Sequence, residues 1–345
     1  MKRRCFFHNS HHTKLLTEVI HIAGMDKHKI EWSMCNQCCL IFQSNSLTRS
    51  SLNLYYKKNI THFNDKDKPS EDKIYNTNRQ LNIIKDNLNK FPNSVLEVSL
   101  LNDYNLKKYK FCGAQKVEGL EPNKIISEAI NKKKVFKVHN STIENFRFKK
   151  KYELIVISHV LEHLMNPLKV LKKCNKSQIN GQHVLLEVPL FEALNRYKNG
   201  ALMMEHLSYF NEYNFLKLIL ESGYEPIYIS KIYERTLMPF ITVLAKKNNN
   251  KFLSNFNEPN KISFRDQFKE AKKYIKKNKS IWKKIDQKLS KFDKTRKTYI
   301  YGSGLHASLL FKYTNIEQKF NIVGFLDSSK SKNNTKFKNY LISNP

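Results

Sequence analysis

No apolar run in the sequence approaches the ~18–20 residues that a helix needs to cross a bilayer. The N-terminus, Met1 to His12, is positively charged but has no apolar stretch behind it, so it does not read as a secretory signal. These two absences predict a cytoplasmic protein. Glycine is scarce, 9 in 345 residues, beside abundant asparagine, a bias that fits an AT-rich genome. Arginine is scarce relative to lysine, and this decides how the charge is read. A net charge of +31 suits a nucleic-acid partner in principle. The lysines, however, are spread along the whole chain, whereas a dedicated nucleic-acid surface clusters arginines with interleaved aromatics. Nucleic acid is therefore not the expected partner. Apolar content of 40% supports a real core and excludes global disorder. The length suits two ordinary domains or one with smaller attachments, and no internal repeat is present.

The most informative stretch is Lys151 to Pro167. Leu154 to Ile157 is an unbroken β-branched and leucine run, the composition of a strand buried on both faces. It breaks into Ser158-His159 and then Glu162-His163, with Asn166-Pro167 opening the next turn or helix. Polar residues beyond the carboxyl end of a buried strand are where open α/β sheets hold their ligands.

Four of the six cysteines, Cys5, Cys35, Cys38 and Cys39, fall in the first forty residues. Cys112 and Cys174 stand alone and read as inert. Cys5-x-x-His8 and Cys35-x-x-Cys38 form two pairs whose spacing can supply four ligands to a tetrahedral structural zinc. Zinc accepts imidazole beside thiolate. Cys39, His11 and His12 are alternative ligands. A filled four-ligand site has no open position for catalysis, so it would staple a small module.

Further along, Leu81, Ile84 and Leu88 mark a helical face within Ile74 to Leu88, and Pro92-Asn93 break it. Strands are expected at Val95–Val98, within Phe111 to Gly119, at Val135–Val138, at Leu154–Ile157 and at His183–Val188. Helices are expected at Ile125–Ile130 and Leu168–Cys174. Asn211 caps a helix bearing Phe215, Leu218 and Ile219, with Gly223 past its end. Ile227–Ile229 and Leu237–Ala245 then read as a closing antiparallel pair. This alternation predicts a doubly wound α/β sheet. Lys261 to Lys297 is lysine-rich, yet Phe264, Phe268, Tyr274, Ile275, Trp282, Ile285, Leu289 and Phe292 keep a helical spacing, as in an amphipathic helix or helix pair bridging two domains. Tyr299–Tyr301 then enters Gly302-Ser303-Gly304-Leu305-His306-Ala307, a strand feeding a G-x-G-x-x-A turn. Glycines there let a phosphate-bearing ligand approach a helix N-terminus. Ile322 to Leu326 is a second strand, and Asp327 at its end stands where an acidic ribose contact would sit.

The string Ser158 to Leu164, S-H-V-L-E-H-L, resembles the fourth motif of class I S-adenosylmethionine (SAM) methyltransferases. Cys35-x-x-Cys38 followed by Tyr55-Tyr56, Glu205 to Phe210 (E-H-L-S-Y-F), Tyr301 to Ala307 and the final Tyr340 to Pro345 extend the likeness over nearly the whole chain. Together they resemble the three-part sugar C-methyltransferases and their relatives, which act on nucleotide-linked sugars. That resemblance implies a zinc-binding module at 1–60, a connector and helix at 61–92, a Rossmann-like SAM domain at 93–250, a lysine-rich helical linker at 251–297 and a small, incomplete Rossmann-like α/β domain at 298–345.

By the same resemblance, Glu121 would accept from the SAM ribose hydroxyls and Thr142-Ile143 would flank the adenine. Ser158, His159 and Glu162 would line the methionine end, while Glu97, Ser99 and Leu101 hold the first-motif positions. Glu205-His206 match the family's pair beside the transferred methyl. His206 would act as general base, taking a proton next to a ketone for C-methylation or from a hydroxyl for O-methylation, with a carboxylate to orient it. Tyr55, Tyr56, Gly302, Gly304, His306 and Asp327 would bind the nucleotide-sugar substrate. The sequence departs from the family at Glu97-Val98-Ser99-Leu100-Leu101-Asn102-Asp103, where every glycine of the first motif is gone. Side chains at Ser99, Leu101 and Asp103 are expected to crowd the cofactor or reroute the backbone. Two other readings stay open: a methyltransferase-like protein that binds a sugar nucleotide without SAM, and an RNA methyltransferase.

Overall fold

The computed structural model describes residues 2–8, 11–20, 28–48, 50–52, 69–191, 202–233, 239–248, 263–303, 305–328 and 332–345. Three sheets form. The N-terminal sheet has the strand order β1-β2-β3-β9 and is antiparallel throughout, from β1 (His12–Ile20), β2 (His28–Cys35), β3 (Ile41–Asn45) and β9 (Ser208–Tyr209). Its last strand comes from the far side of the central domain, so the module expected at 1–60 is completed by residues some 160 positions away.

The central sheet contains β4 (Ser94–Val98), β5 (Lys116–Leu120), β6 (Lys137–His139), β7 (Leu154–Ser158), β8 (His183–Pro189), β10 (Tyr224–Ile232) and β11 (Phe240–Lys247). Their order is β10-β11-β8-β7-β4-β5-β6, parallel from β8 to β6 and antiparallel at β11 and β10. The chain moves outward from β4 to β6, then returns to β7 on the other side of β4. The carboxyl ends of β4 and β7 therefore flank the topological switch point, where doubly wound sheets place ligands. Every residue of β4 is buried, as are the first four of β7, because helices cover both faces.

Helix α1 (Glu71–Asn87) starts at Ser70, whose hydroxyl accepts the Lys73 N–H at 3.2 Å. It is fastened through Arg79, which pairs with Glu187 and donates to Thr242 Oγ1 at 2.9 Å while lying over the Phe240 ring. Helix α2 (Tyr104–Phe111) was not visible in the apolar spacing, because Asn105 is among the residues that form its buried face with Leu106 and Tyr109. The second strand accordingly begins at Lys116, not at Phe111, which ends α2 and is exposed. Helices α3 (Lys124–Lys132), α4 (Pro167–Lys176) and α5 (Glu212–Glu221) follow the expected pattern; Asn211 and Asn214 make a reciprocal capping box on α5.

The lysine-rich segment folds as one helix, α6 (Phe264–Leu289). Its Ala271 and Tyr274 pack with Trp32 and Tyr209, and its Trp282 packs with Leu309 of α7 (Leu305–Tyr313). The C-terminal sheet is β12 (Lys297–Tyr301), β13 (Asn321–Leu326), β15 (Tyr340–Ser343) and β14 (Lys336–Phe337), with β12, β13 and β15 parallel. A short helix α8 (Ile316–Lys319) precedes β13. Among the described residues no helix is long and apolar enough to cross a membrane.

Gly119 in β5 makes room for the loop after β4. A Cβ there would stand 2.3 Å from Leu100 Cδ1 and 3.2 Å from Val138 Cγ2, and Leu100 is itself buried. Gly119→Ala is expected to destabilise the protein by about 1–3 kcal/mol through overpacking. Urea unfolding checks this, and adding Leu100→Ala should recover part of the loss; strictly additive losses would show that the two sites do not share the space.

Candidate active site

Cys5, His8, Cys35 and Cys38 converge, with all four ligand atoms within 4.8 Å of one another. Cys5 Sγ and Cys38 Sγ are 3.7 Å apart, and Cys35 Sγ is 3.7 Å from His8 Nδ1. A disulfide needs sulfurs about 2.05 Å apart, whereas tetrahedral zinc with sulfur at about 2.3 Å spaces its donors roughly 3.7 Å apart. The donor set and its spacing therefore fit zinc. Cys39 adopts a left-handed backbone, φ 58°, and its N–H donates to the Cys35 carbonyl at 3.0 Å. The cluster is not a free-standing module. Cys5, Cys35 and Cys38 share one core with Phe210, Phe215 and Leu171 of the central domain, and Asn214 donates to the Cys38 carbonyl at 3.3 Å.

At the switch point, Ser99 and His159, which directly follow β4 and β7, both hold left-handed backbones, with φ of 66° and 54°. For residues with a Cβ this costs about 1–2 kcal/mol each, and such strain collects at ligand sites. Ser99 thus keeps a glycine-like turn although the glycines are absent. Leu100 is turned into the core, while Leu101 is 69% exposed. Asp103 is buried beside Lys107 and Lys133, at 3.0 and 3.1 Å.

Glu121 directly follows β5 and accepts the Leu100 N–H at 2.7 Å and the Asn123 N–H at 2.6 Å, one on each oxygen. A carboxylate has about four lone-pair positions, so two remain beyond these backbone donors. Glu97 faces away from this edge: its oxygens accept from Asn105 at 2.6 Å and from Tyr109. Ser158 donates to Glu187. Thr142 caps its own turn, accepting the Asn145 and Phe146 N–H groups, and the Ile143 side chain belongs to the core beside Leu120.

The second focus is His206. Gln43 of β3 donates to the carbonyls of Met204, at 2.7 Å, and His206, at 3.2 Å, while Arg3 donates to those of Leu207, at 2.8 Å, and Met165, at 3.0 Å. This places His206 against His163, ring centroids 4.8 Å apart, and near Glu162, with the three donor atoms within 4.8 Å of one another. Burial first, then His163, pushes the His206 imidazole down to about 3, against the opposing pull of Glu162, so the ring is neutral near physiological pH. Among the described residues no hydrogen bond joins Glu205 to His206; the carboxylate facing this histidine is that of Glu162. Sequence reading singled out each residue's motif but not their meeting, because 43 positions separate His163 from His206.

In the C-terminal domain Gly302 has φ 86° and donates to the Leu326 carbonyl at 2.7 Å, closing the turn. Asp327 accepts from the Ser303 N–H and hydroxyl, at 2.9 and 2.7 Å, and pairs with Lys332 at 2.9 Å, so it braces the turn. His306 is exposed on the first turn of α7. Tyr55, Tyr56 and Gly304 lie outside the described residues.

The Glu121 carboxyl is pushed up to about 7 by burial, with its two backbone donors pulling the other way. The folded state therefore binds this proton more tightly than the unfolded chain, whose carboxyl titrates near 4.5. Its contribution to stability is complete below about pH 4.5 and is lost as pH rises through about 7. Urea unfolding at pH 5 and pH 8 should show a steeper fall for the wild type than for Glu121→Gln; equal falls would remove this assignment.

Residues 72–229 match a family model described as a methyltransferase domain. No curated protein matches the chain. Solved structures similar to it include the N-methyltransferase NodS from Bradyrhizobium japonicum WM9 in complex with S-adenosyl-L-homocysteine, 12% identical over 57% of this chain and 97% of that one, TM-score 0.44. Another is the Burkholderia thailandensis 1,6-didemethyltoxoflavin-N1-methyltransferase, 8% identical over 67% and 100%, TM-score 0.46. The matched residues include the parallel strands β4 to β8 and the Ser158 to Leu164 string.

Proposed function

We propose that the protein transfers a methyl group from SAM to a carbon or oxygen of a nucleotide-activated sugar or a related surface-polysaccharide precursor, with His206 as general base. The observation that carries this reading is the neutral, buried His206 held against His163 and Glu162. When bound, SAM supplies an electrophilic methyl on a sulfonium. Ser99 provides the turn that lets such a ligand approach β4, Glu121 accepts from the ribose, and the Ser158–Glu162 stretch forms the far wall. His206 takes the proton from the sugar carbon beside a ketone, or from a hydroxyl. The Glu162 carboxylate then balances the charge the imidazole gains. The Gly302-Ser303 turn ahead of α7 is the seat for the phosphate-bearing part of the substrate.

One observation favours the second reading, a sugar-nucleotide-binding protein without SAM. Glu121 already holds the loop by two N–H groups, so the ribose must share it. Activity separates the two readings. Labelled methyl should pass from SAM to nucleotide-linked sugars, and His206→Asn should lower turnover by about 10²–10⁴-fold, the usual weight of a positioned base. Full turnover in that variant would reduce His206 to a structural residue.

We assign a structural zinc to Cys5, His8, Cys35 and Cys38. Protein purified without added metal should carry thiolate-bound zinc, and Cys35→Ala with Cys38→Ala should lose it and loosen the β2–β3 hairpin first. Unchanged zinc in that variant, by elemental analysis, would remove the site.

A further inference from the structure

Glu162 is 1% exposed, and among the described residues neither of its carboxylate oxygens has a hydrogen-bond partner. The nearest ring nitrogens, His159 Nδ1 and His163 Nε2, stand 3.7 and 3.9 Å from Oε1, within ion-pair range of a protonated ring but beyond hydrogen-bond reach. The orientation of His163 is fixed on its other side, where Nδ1 lies 2.8 Å from the Glu205 carbonyl oxygen. A carbonyl only accepts, so Nδ1 carries the hydrogen, and in the neutral ring Nε2 turns its lone pair toward Glu162. His206 Nδ1 is also buried without a partner. The two Glu162 oxygens and His206 Nδ1 are buried acceptors, costly unless a positive charge sits among them.

We propose that Glu162, His163 and His206 form a second metal site, distinct from the cysteine cluster, for a divalent first-row cation such as Zn²⁺. Two imidazoles and one carboxylate favour such an ion over Mg²⁺ or Ca²⁺, which prefer all-oxygen shells. The His163 Nδ1–H bond to a backbone carbonyl is the outer contact that orients a ligating histidine. Donors around tetrahedral zinc stand roughly 3.4 Å apart, so the present spread, up to 4.8 Å, closes by side-chain rotation of about an ångström. Three protein donors leave a coordination position open, unlike the filled cysteine site.

A neutral imidazole has one lone pair. His206 therefore cannot hold a cation and accept a substrate proton at once, and metal loading suppresses methyl transfer. That consequence rests on the proposed base role of His206; metal binding itself does not.

The test is a Co²⁺ titration of the full chain. The cysteine site gives intense thiolate charge-transfer absorption, whereas the second site gives only weak visible bands without it. We expect a second equivalent of the weak-band kind that disappears in Glu162→Gln and, separately, in His163→Gln, while the thiolate absorption stays and reports an intact fold. Absence of a second equivalent, or its persistence in both variants, would overturn the proposal. Neither result depends on SAM binding or on turnover, so failure here is distinguishable from failure of the methyltransferase reading.

Discussion

The structure depends most on how residues 202–210 are held between two sheets. Ser208 and Tyr209 pair with β3, Phe210 bridges to Leu190, and Gln43 and Arg3 take four backbone carbonyls around the segment and its neighbours. A segment with so little regular structure would otherwise be free to move, and His206 with it. The N-terminal sheet thus holds the candidate base in place, and a zinc on its cysteines would act on catalysis through rigidity. This is why the cysteine cluster shares a core with α4 and α5 rather than standing apart.

The loop after β4 shows how the fold tolerates the loss of its glycines. Ser99 accepts a strained backbone, Leu100 moves inward into the space that Gly119 leaves, and Glu121 ties the loop down from β5. Each adjustment keeps the path of the turn. Asp103 is drawn away into its pairs with Lys107 and Lys133, while Leu101 stays exposed.

The central sheet was legible because its strands are buried on both faces, which forces runs such as Leu154 to Ile157 that no other element requires. The lysine-rich helix was legible for a different reason: Tyr274 and Trp282 keep a helical spacing among the lysines. Helix α2 was hidden because Asn105 is buried for its bond to Glu97, which breaks the apolar period. The N-terminal sheet was hidden because its fourth strand is supplied from residue 208 onward. The histidine motifs were legible singly. That Glu162 rather than Glu205 faces His206 follows from tertiary packing, which local sequence does not encode.

The central claim is that this scaffold still binds SAM. Calorimetric titration of the full chain with SAM and with its demethylated product tests it most directly. Saturable binding of both is predicted, loosened by roughly 1–3 kcal/mol in Glu121→Ala, the scale of a hydrogen bond to a charged group. If neither ligand binds at millimolar concentration, the account is contradicted.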